Sequence, residues 1–493
     1  MYLGIDLGTS EVKALLLDEA GAPVASSGAP LEVQRPHPRW SEQAPAAWWE
    51  ATQAAVGALR QRAPAALAAT RGLGLSGQMH GATLLDAGDR PLRPAILWND
   101  VRAARECLEL LERVPEATAI TGNLAMPGFT APKLLWVARH EPEIFARVAT
   151  VLLPKDYLRL RLTGEKISDL SDAAGTLWLD VARRDWSDAM LAGCGLGRAQ
   201  MPSLVEGSAP AGRLRPELAA AWGMTGPVTV AGGGGDNAAS AVGIGAVKAG
   251  EGFVSLGTSG VVFVVNDRFA PNPARAVHAF CHALPGRWHQ MSVMLSAASA
   301  LRWVTHLTGA HGEAEAAAEA GTLTPLERAR APLFLPYLSG ERTPHNDPGA
   351  LGVFFGLDHA TDRRALVYAV MEGVAFGLTD GLDALRAAGT RPGALSLVGG
   401  GARSALWAQL LADSMGTPVE VHAGAEAGAA LGAARLAMLA CGAKEDAVCT
   451  RPAVERGHRP EPAAAGPLAG RLERFRALYR AVAPLWPAVG EGS

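Results

Sequence analysis

One hairpin is written twice in this chain. Leu7-Gly8-Thr9-Ser10 recurs as Leu256-Gly257-Thr258-Ser259, near the midpoint. Apolar residues precede each copy, and an apolar run follows each and closes on an aspartate, Asp18 or Asp267. A chain of 493 residues is too long for one core, since single cores stop growing near roughly 250–300 residues. The repeat therefore predicts two related domains, each opening on a glycine-turn hairpin. The copies differ in charge: Asp6 and Lys13 in the first align with Ser255 and Val262 in the second.

Both halves mix strands and helices. Tyr2 to Leu7 and Val12 to Leu17 read as paired strands, and Pro45 opens a helix carrying AAWWEATQAAVGALRQR. Leu366, Val370, Val374, Leu378, Leu382 and Leu385 fall at helical spacing in the longest amphipathic segment. Arg451 to Gly466 reads as a loose Pro/Ala connector before a closing helix, and Trp178 to Gly226 is the least legible stretch. The expected fold class is α/β, with domains over 1–245 and 246–450 and the connector and helix over 451–493.

Composition excludes several functions. A formal net charge of −3, with no basic run beyond arginine pairs, argues against nucleic acid. The 5 cysteines lack metal or redox spacing, which predicts a reduced, cytoplasmic protein. No signal sequence is evident, and no apolar run reaches the ~18 residues of a membrane span. His278 and His282 flank Cys281 at metal-ligand spacing, but with no third ligand evident a structural role is favoured.

The glycine turns suggest a polyphosphate ligand, because backbone N–H groups converge there with no Cβ in the way. Gly8, Thr9, Ser10 and Lys13 would hold phosphate in the first hairpin, and Gly257, Thr258 and Ser259 in the second. A strand–glycine–helix unit at Gly400, Gly401 and Ser404 adds another turn. Asp6 and Lys13 make the first hairpin the reaction side; taken singly, a capping carboxylate and a solvated lysine are the more ordinary accounts. Asp236 follows four glycines, Gly232 to Gly235, and opens a helix. An N-cap role would suffice for it, but the glycine run suggests a surface approached closely, where a carboxylate can take a proton from an attacking hydroxyl. Gln78, Met79 and His80 end a strand, and Trp98-Asn99-Asp100 ends the next. A polyol pocket and ordinary packing are evenly matched there.

The segments GIDLGTS, QRPHPRWSEQ, GQMHGATLLD, PAILWND, GFTAPKLLWV, LLPKDYLRLRLTGE, GGDNAA, SLGTSG, LPYLSGERTPHNDP, GVFFGL and GGGARS, spread from Met1 to about Leu439, resemble the FGGY family of carbohydrate kinases. That resemblance implies the actin/hexokinase/Hsp70 fold, two ribonuclease H-like domains with mixed five-stranded sheets facing a cleft. It implies ATP and Mg²⁺ as cofactors and a sugar as substrate, with D-xylulose indicated by GQMHGATLLD. By the same resemblance Asp236 is the base, Met79, His80, Trp98, Asp236 and Asn237 contact sugar, and Asp6 lies by the metal. Relatives often dimerise, so a homodimer is left open. The rivals are a kinase for ribulose or glycerol, a non-catalytic sugar sensor, and a chaperone- or filament-like ATPase. Three departures stand out: Glu11 where glycine is usual, one glycine more before Asp236, and Ala365 in place of a polar residue.

Overall fold

The computed structural model describes residues 1–423 and 428–486; the end of the expected 451–493 segment lies outside them. The first sheet is built from β1 (Tyr2–Leu7), β2 (Glu11–Leu17), β3 (Pro23–Pro30), β4 (Gly72–Gly77), β5 (Pro210–Arg213), β6 (Thr229–Ala231) and β7 (Gly234–Gly235). The second is built from β8 (Gly252–Leu256), β9 (Gly260–Asn266), β10 (His278–Cys281), β11 (Trp288–Met294), β12 (Leu395–Val398), β13 (Val419–His422) and β14 (Val454–His458). The principal helices are α1 (Pro45–Arg62), α2 (Thr130–His140), α3 (Pro154–Thr163), α4 (Asp236–Gly243), α5 (Arg363–Ala387), α6 (Ala405–Met415), α7 (Gly428–Ala440) and α8 (Pro462–Val482).

The two sheets repeat one topology. In the first the order is β5-β6-β4-β1-β2-β3, with β7 pairing β4; in the second it is β10-β11-β9-β8-β12-β13-β14. The series β3-β2-β1-β4-β6 matches β11-β9-β8-β12-β13: an antiparallel meander joined to parallel strands. Among the described residues each sheet has seven strands, not the expected five. The surplus consists of short pieces outside the shared series: β5 and β7 in one, β10 and β14 in the other. β14 and the start of α8 also replace the loose connector expected over Arg451 to Gly466.

β1 lies between β2 and β4 and reads as a nearly continuous apolar run, as a strand covered on both faces should. α1 covers one face through Trp48, Ala51, Ala55, Val56 and Leu59, which recur at helical spacing. The other face receives α7, from the far end of the chain. Gly4 pairs with Gly74. A Cβ on Gly4 would stand 2.0 Å from the Ala430 carbonyl oxygen, and one on Gly74 1.8 Å from that of Ala433. The paired glycines make the groove in which α7 rests.

α5 is long and apolar enough to cross a membrane, with mean hydropathy 1.3, a length the apolar runs of the sequence did not suggest; 89% of that window is buried in the protein. Asp362 caps it by accepting from the N–H of Ala365 at 2.9 Å, so the departure at Ala365 lies in the capped first turn. α8 docks on α5 through Arg471 to Glu372 at 2.5 Å and Arg476 to Asp380 at 2.6 Å.

Candidate active site

The first sheet sets Asp6, Ser76 and Gly234 side by side on β1, β4 and β7. Asp236 follows at the start of α4, and the N-cap position belongs to Gly235, so the capping account of Asp236 does not hold. Its Oδ1 accepts from the main-chain N–H of Asn237 at 2.7 Å and from Asn237 Nδ2 at 2.9 Å. Burial, with the Asp6 charge second, pushes the Asp236 carboxyl up to about 6. Burial likewise pushes Asp6 up to about 6, with Lys13 pulling it down. Asp6 Oδ1 is buried without a hydrogen-bond partner, which suits a carboxylate facing a cation.

Beneath the glycine turn lies a fully buried charge cluster. Arg159 donates from Nη1 to the Ala231 carbonyl at 2.6 Å and from Nη2 to that of Gly232. Ser171 Oγ accepts from the N–H of Gly235 at 3.2 Å and donates to Asp169. Lys155 reaches Asp156 at 2.5 Å, Asp169 at 2.7 Å and Asp172 at 3.2 Å. Gly233 has φ +79°, and a Cβ there would stand 2.2 Å from the Leu75 carbonyl oxygen. The extra glycine is thus held in a turn clamped from below.

His80 also has an unusual backbone, φ 68°. Its carbonyl accepts from Thr130 Oγ1 at 3.1 Å and from the buried Lys133 Nζ at 2.9 Å, both on α2. His80 Nδ1 lies 2.6 Å from the Gly175 carbonyl, which can only accept, so Nδ1 carries the proton. Burial pushes the imidazole down to about 3. A neutral ring then leaves Nε2 as an acceptor for a hydroxyl. Met79 is buried beside Gly235, where an added Cβ would lie 2.9 Å from its sulfur.

Trp98 is 40% exposed and donates from Nε1 to Thr9 Oγ1 at 3.0 Å. Thr9 donates in turn to Gln78 Oε1 at 3.2 Å, and Gln78 Nε2 donates to Gln43 at 2.9 Å. The Thr9 hydroxyl and Gln78 are thus joined in one network between the hairpin tip and Trp98. Asp100 is occupied by Arg102 at 2.7 Å and by the N–H of Ser41 at 2.6 Å.

The hairpins differ in register. Leu7 pairs with Val12 in the first and Leu256 with Gly260 in the second, one residue tighter. Asp6 faces Lys13 across the strands, while Ser255 faces Val261, not Val262. A one-residue slip exchanges the two faces, so the residue that takes the place of Lys13 in the second hairpin is half-buried Val261, and Val262 lies in the core. Glu11 alternates onto the side of Lys13, and its carboxylate rests on Gly28 of β3, where a Cβ would meet it at 1.7 Å. The Glu11 side chain is exposed on that side of the hairpin.

Behind the second hairpin, the carbonyls of Gly257 and Thr258 accept from the N–H groups of Ala298 and Ala297 at 2.8 and 3.0 Å. A cavity of about 610 Å³ opens beside them, lined by Leu301, Ala317, Gly400, Gly401, Ser404 and Trp407 among others. Its size and apolar walls suit a nucleoside. Ser404 Oγ accepts from the N–H of Trp407 at 3.3 Å, capping α6. His278 lies 3.3 Å from Asn123 Oδ1, and His282 Nδ1 accepts from the N–H of Leu284 at 3.1 Å. Among the described residues no three His, Cys, Asp or Glu side chains form a metal-binding group.

The sequence reading missed Thr130, Lys133, Gly175, Arg159, Ser171 and the alanine-rich cavity walls. Those walls carry helical spacing indistinguishable from core. The buried lysines and Arg159 show their polar partners only once the fold is known.

Family models match nearly the whole chain: the FGGY family of carbohydrate kinases, N-terminal domain, over residues 1–243, and its C-terminal domain over 252–441. The chain belongs to the FGGY family of carbohydrate kinases. Among its relatives, the xylulose kinase of Escherichia coli K12 is 56% identical over 487 residues, covering 98% of this chain and 100% of the relative. The xylulose kinase of Klebsiella pneumoniae is 55% identical over 491 residues, 98% of this chain and 100% of its own. A crystal structure of a xyloylose kinase from Brucella ovis superposes with TM-score 0.95 at 55% identity, covering 98% and 99% of the two chains. As in this family, the two sheets here are related α/β units on the actin-like plan.

Proposed function

We propose that this protein phosphorylates D-xylulose on its terminal hydroxyl with ATP, giving D-xylulose 5-phosphate and ADP. The observation that carries this reading is the 56% identity to the Escherichia coli xylulose kinase across 98% of the chain. Ribulose and glycerol as substrates, and a non-catalytic sensor, have no comparable relative among those described above.

In this reading the sugar lies against Met79, His80 and Trp98, with its terminal hydroxyl at Asp236. Asp236 takes the hydroxyl proton as the sugar oxygen bonds to the γ-phosphorus and the bond from that phosphorus to the β,γ-bridging oxygen breaks, leaving ADP. A carboxyl at about 6 is ionised at neutral pH and still basic enough to share the proton. Neutral His80 accepts from another hydroxyl. Ser10, Lys13 and the free N–H groups of both hairpins hold phosphate oxygens, and the nucleoside occupies the 610 Å³ cavity. Asp6, with its unpartnered oxygen, fits Mg²⁺, which when bound with the nucleotide offsets phosphate charge. Positioning and charge neutralisation supply most of the acceleration in such transfers. A cytoplasmic setting, where thiols stay reduced, goes with this reading.

The test is a sugar panel read by ADP release. D-xylulose must give the highest kcat/KM; a ribulose or glycerol maximum overturns the assignment.

A further inference from the structure

Arg342 lies between the short strands Leu333–Leu335 and Val353–Phe355, in a loop stitched to β11 of the second sheet. The N–H of Thr343 donates to the Val293 carbonyl at 3.0 Å, and the N–H of Val293 to Thr343 Oγ1 at 3.0 Å. Glu341 Oε1 accepts from the N–H groups of Leu295 at 3.1 Å and Arg342 at 2.7 Å. That carboxylate holds backbone and does not pair with the guanidinium beside it. Burial also pushes Glu341 up to about 8, so its negative charge is weakened at neutral pH.

Several buried arginines in the protein hold strong partners. Arg102 pairs with Asp100, Arg471 with Glu372, and Arg159 clamps two carbonyls. Among the described residues no carboxylate stands within ion-pair distance of the Arg342 guanidinium. Among the described residues its one side-chain hydrogen bond is Nη1 to His278 Nε2 at 3.4 Å. A half-buried guanidinium with no counter-charge keeps N–H donors for a ligand.

Its surroundings say which ligand. His278 stacks on Phe280 with ring centroids 5.5 Å apart and meets Phe129 edge-on at 5.5 Å; Phe129 meets His80 edge-on at 4.6 Å. Arg342 thus extends from the second domain toward the turn that presents His80. Its charge is felt by both His80 and His278, whereas the side chains felt by Asp236 are Asp6 and Asn237. Through His278 and Phe129 it lies toward His80.

We propose that Arg342 is a sugar-contacting residue contributed by the second domain, donating to the two oxygens at the carbonyl end of the ketose. The inference rests on the reading above, with the terminal hydroxyl at Asp236 and the carbonyl end opposite. The fork of a guanidinium matches two neighbouring oxygens, here the C1 hydroxyl and the C2 carbonyl, better than an ammonium does.

The experiment compares wild-type, Arg342→Met and Arg342→Lys on D-xylulose and on the alditols obtained by reducing its C2 carbonyl. Arg342→Met should lower kcat/KM for D-xylulose by about 10–100-fold, mainly through KM. The KM for ATP should stay within about twofold, and the preference for ketose over alditol should shrink. Arg342→Lys should recover part of the loss. A D-xylulose KM within twofold of wild-type in Arg342→Met overturns the inference. So does an equal loss on ketose and alditol with a lowered thermal midpoint, the mark of a purely structural residue. A wild-type enzyme inert towards D-xylulose overturns the functional reading itself.

Discussion

The indole nitrogen of Trp98 donates to the hydroxyl of Thr9 at 3.0 Å, tying the exposed ring proposed to face the sugar to the tip of the first hairpin. A sugar packing on that ring would stiffen the hairpin, so sugar and nucleotide should favour each other's binding. Trp98→Phe keeps an aromatic face and removes the bond. Loss of one neutral hydrogen bond is worth about 1 kcal/mol, or ~5-fold. The stimulation of ATP turnover by D-xylulose should fall by about that factor, measured as ADP release with and without sugar. Unchanged stimulation would refute the link.

Asp236→Asn should lower kcat by at least ~10²–10⁴-fold, the usual worth of a general base, while ATP still binds by calorimetry. The same change should stabilise the protein. The folded-state carboxyl at about 6 stands above its ordinary 3.8. Folding therefore favours the protonated acid, and the cost of ionising it grows as pH rises from about 4 to about 6 and is fully present above. At pH 8 the asparagine variant should melt on the order of 1–3 °C higher; at pH 4 the difference should shrink.

In the proposed mechanism the same position sets the acid limb of the rate profile. A base must be ionised to act, so kcat should rise with pH through about 6 and flatten above it. A limb below pH 4.5 would place the proton acceptor elsewhere.

Ser171→Ala removes the acceptor of the Gly235 N–H without touching substrate. Arg159 still clamps Ala231 and Gly232, so the turn should persist but loosen at its last residue. A kcat loss of about 5–10-fold with both KM values unchanged is expected. Parallel losses in KM, or aggregation, would mark the cluster as core alone.

Glu11→Gln removes a carboxylate from the side of the hairpin that carries Lys13. Its charge raises the Asp6 carboxyl, though less than burial does. The variant should bind ATP about 2–3-fold tighter at low ionic strength, with the gain fading as salt approaches ~0.15 M. An equal gain at all salt concentrations would rule out a charge effect.

The duplication, both hairpins, the glycine turns and the longest helix were legible because each rests on local signals: apolar periodicity, Gly-rich turns and Pro at helix starts. The equivalence of Lys13 with Val262 was misread because alignment by Leu-Gly-Thr-Ser ignores the turn, and one residue of turn length exchanges the faces of a strand. β14 was read as linker because its residues are mostly exposed or half-buried, and what makes it a strand is the neighbouring β13. The clamps on His80 and on the glycine turn come from α2, α3 and the segment around Ser171, distant in sequence and joined only by tertiary packing.

The Gly4–Gly74 groove also bears on how the chain is made. β4 ends at Gly77, yet the helix that fills the groove starts at Gly428. At a synthesis rate of roughly 5–20 residues per second, the first sheet waits some tens of seconds for its cover. During that interval the face around Gly4 and Gly74 lacks the helix that packs on it in the finished fold. Separately expressed halves should be soluble only together, each maturing on the other.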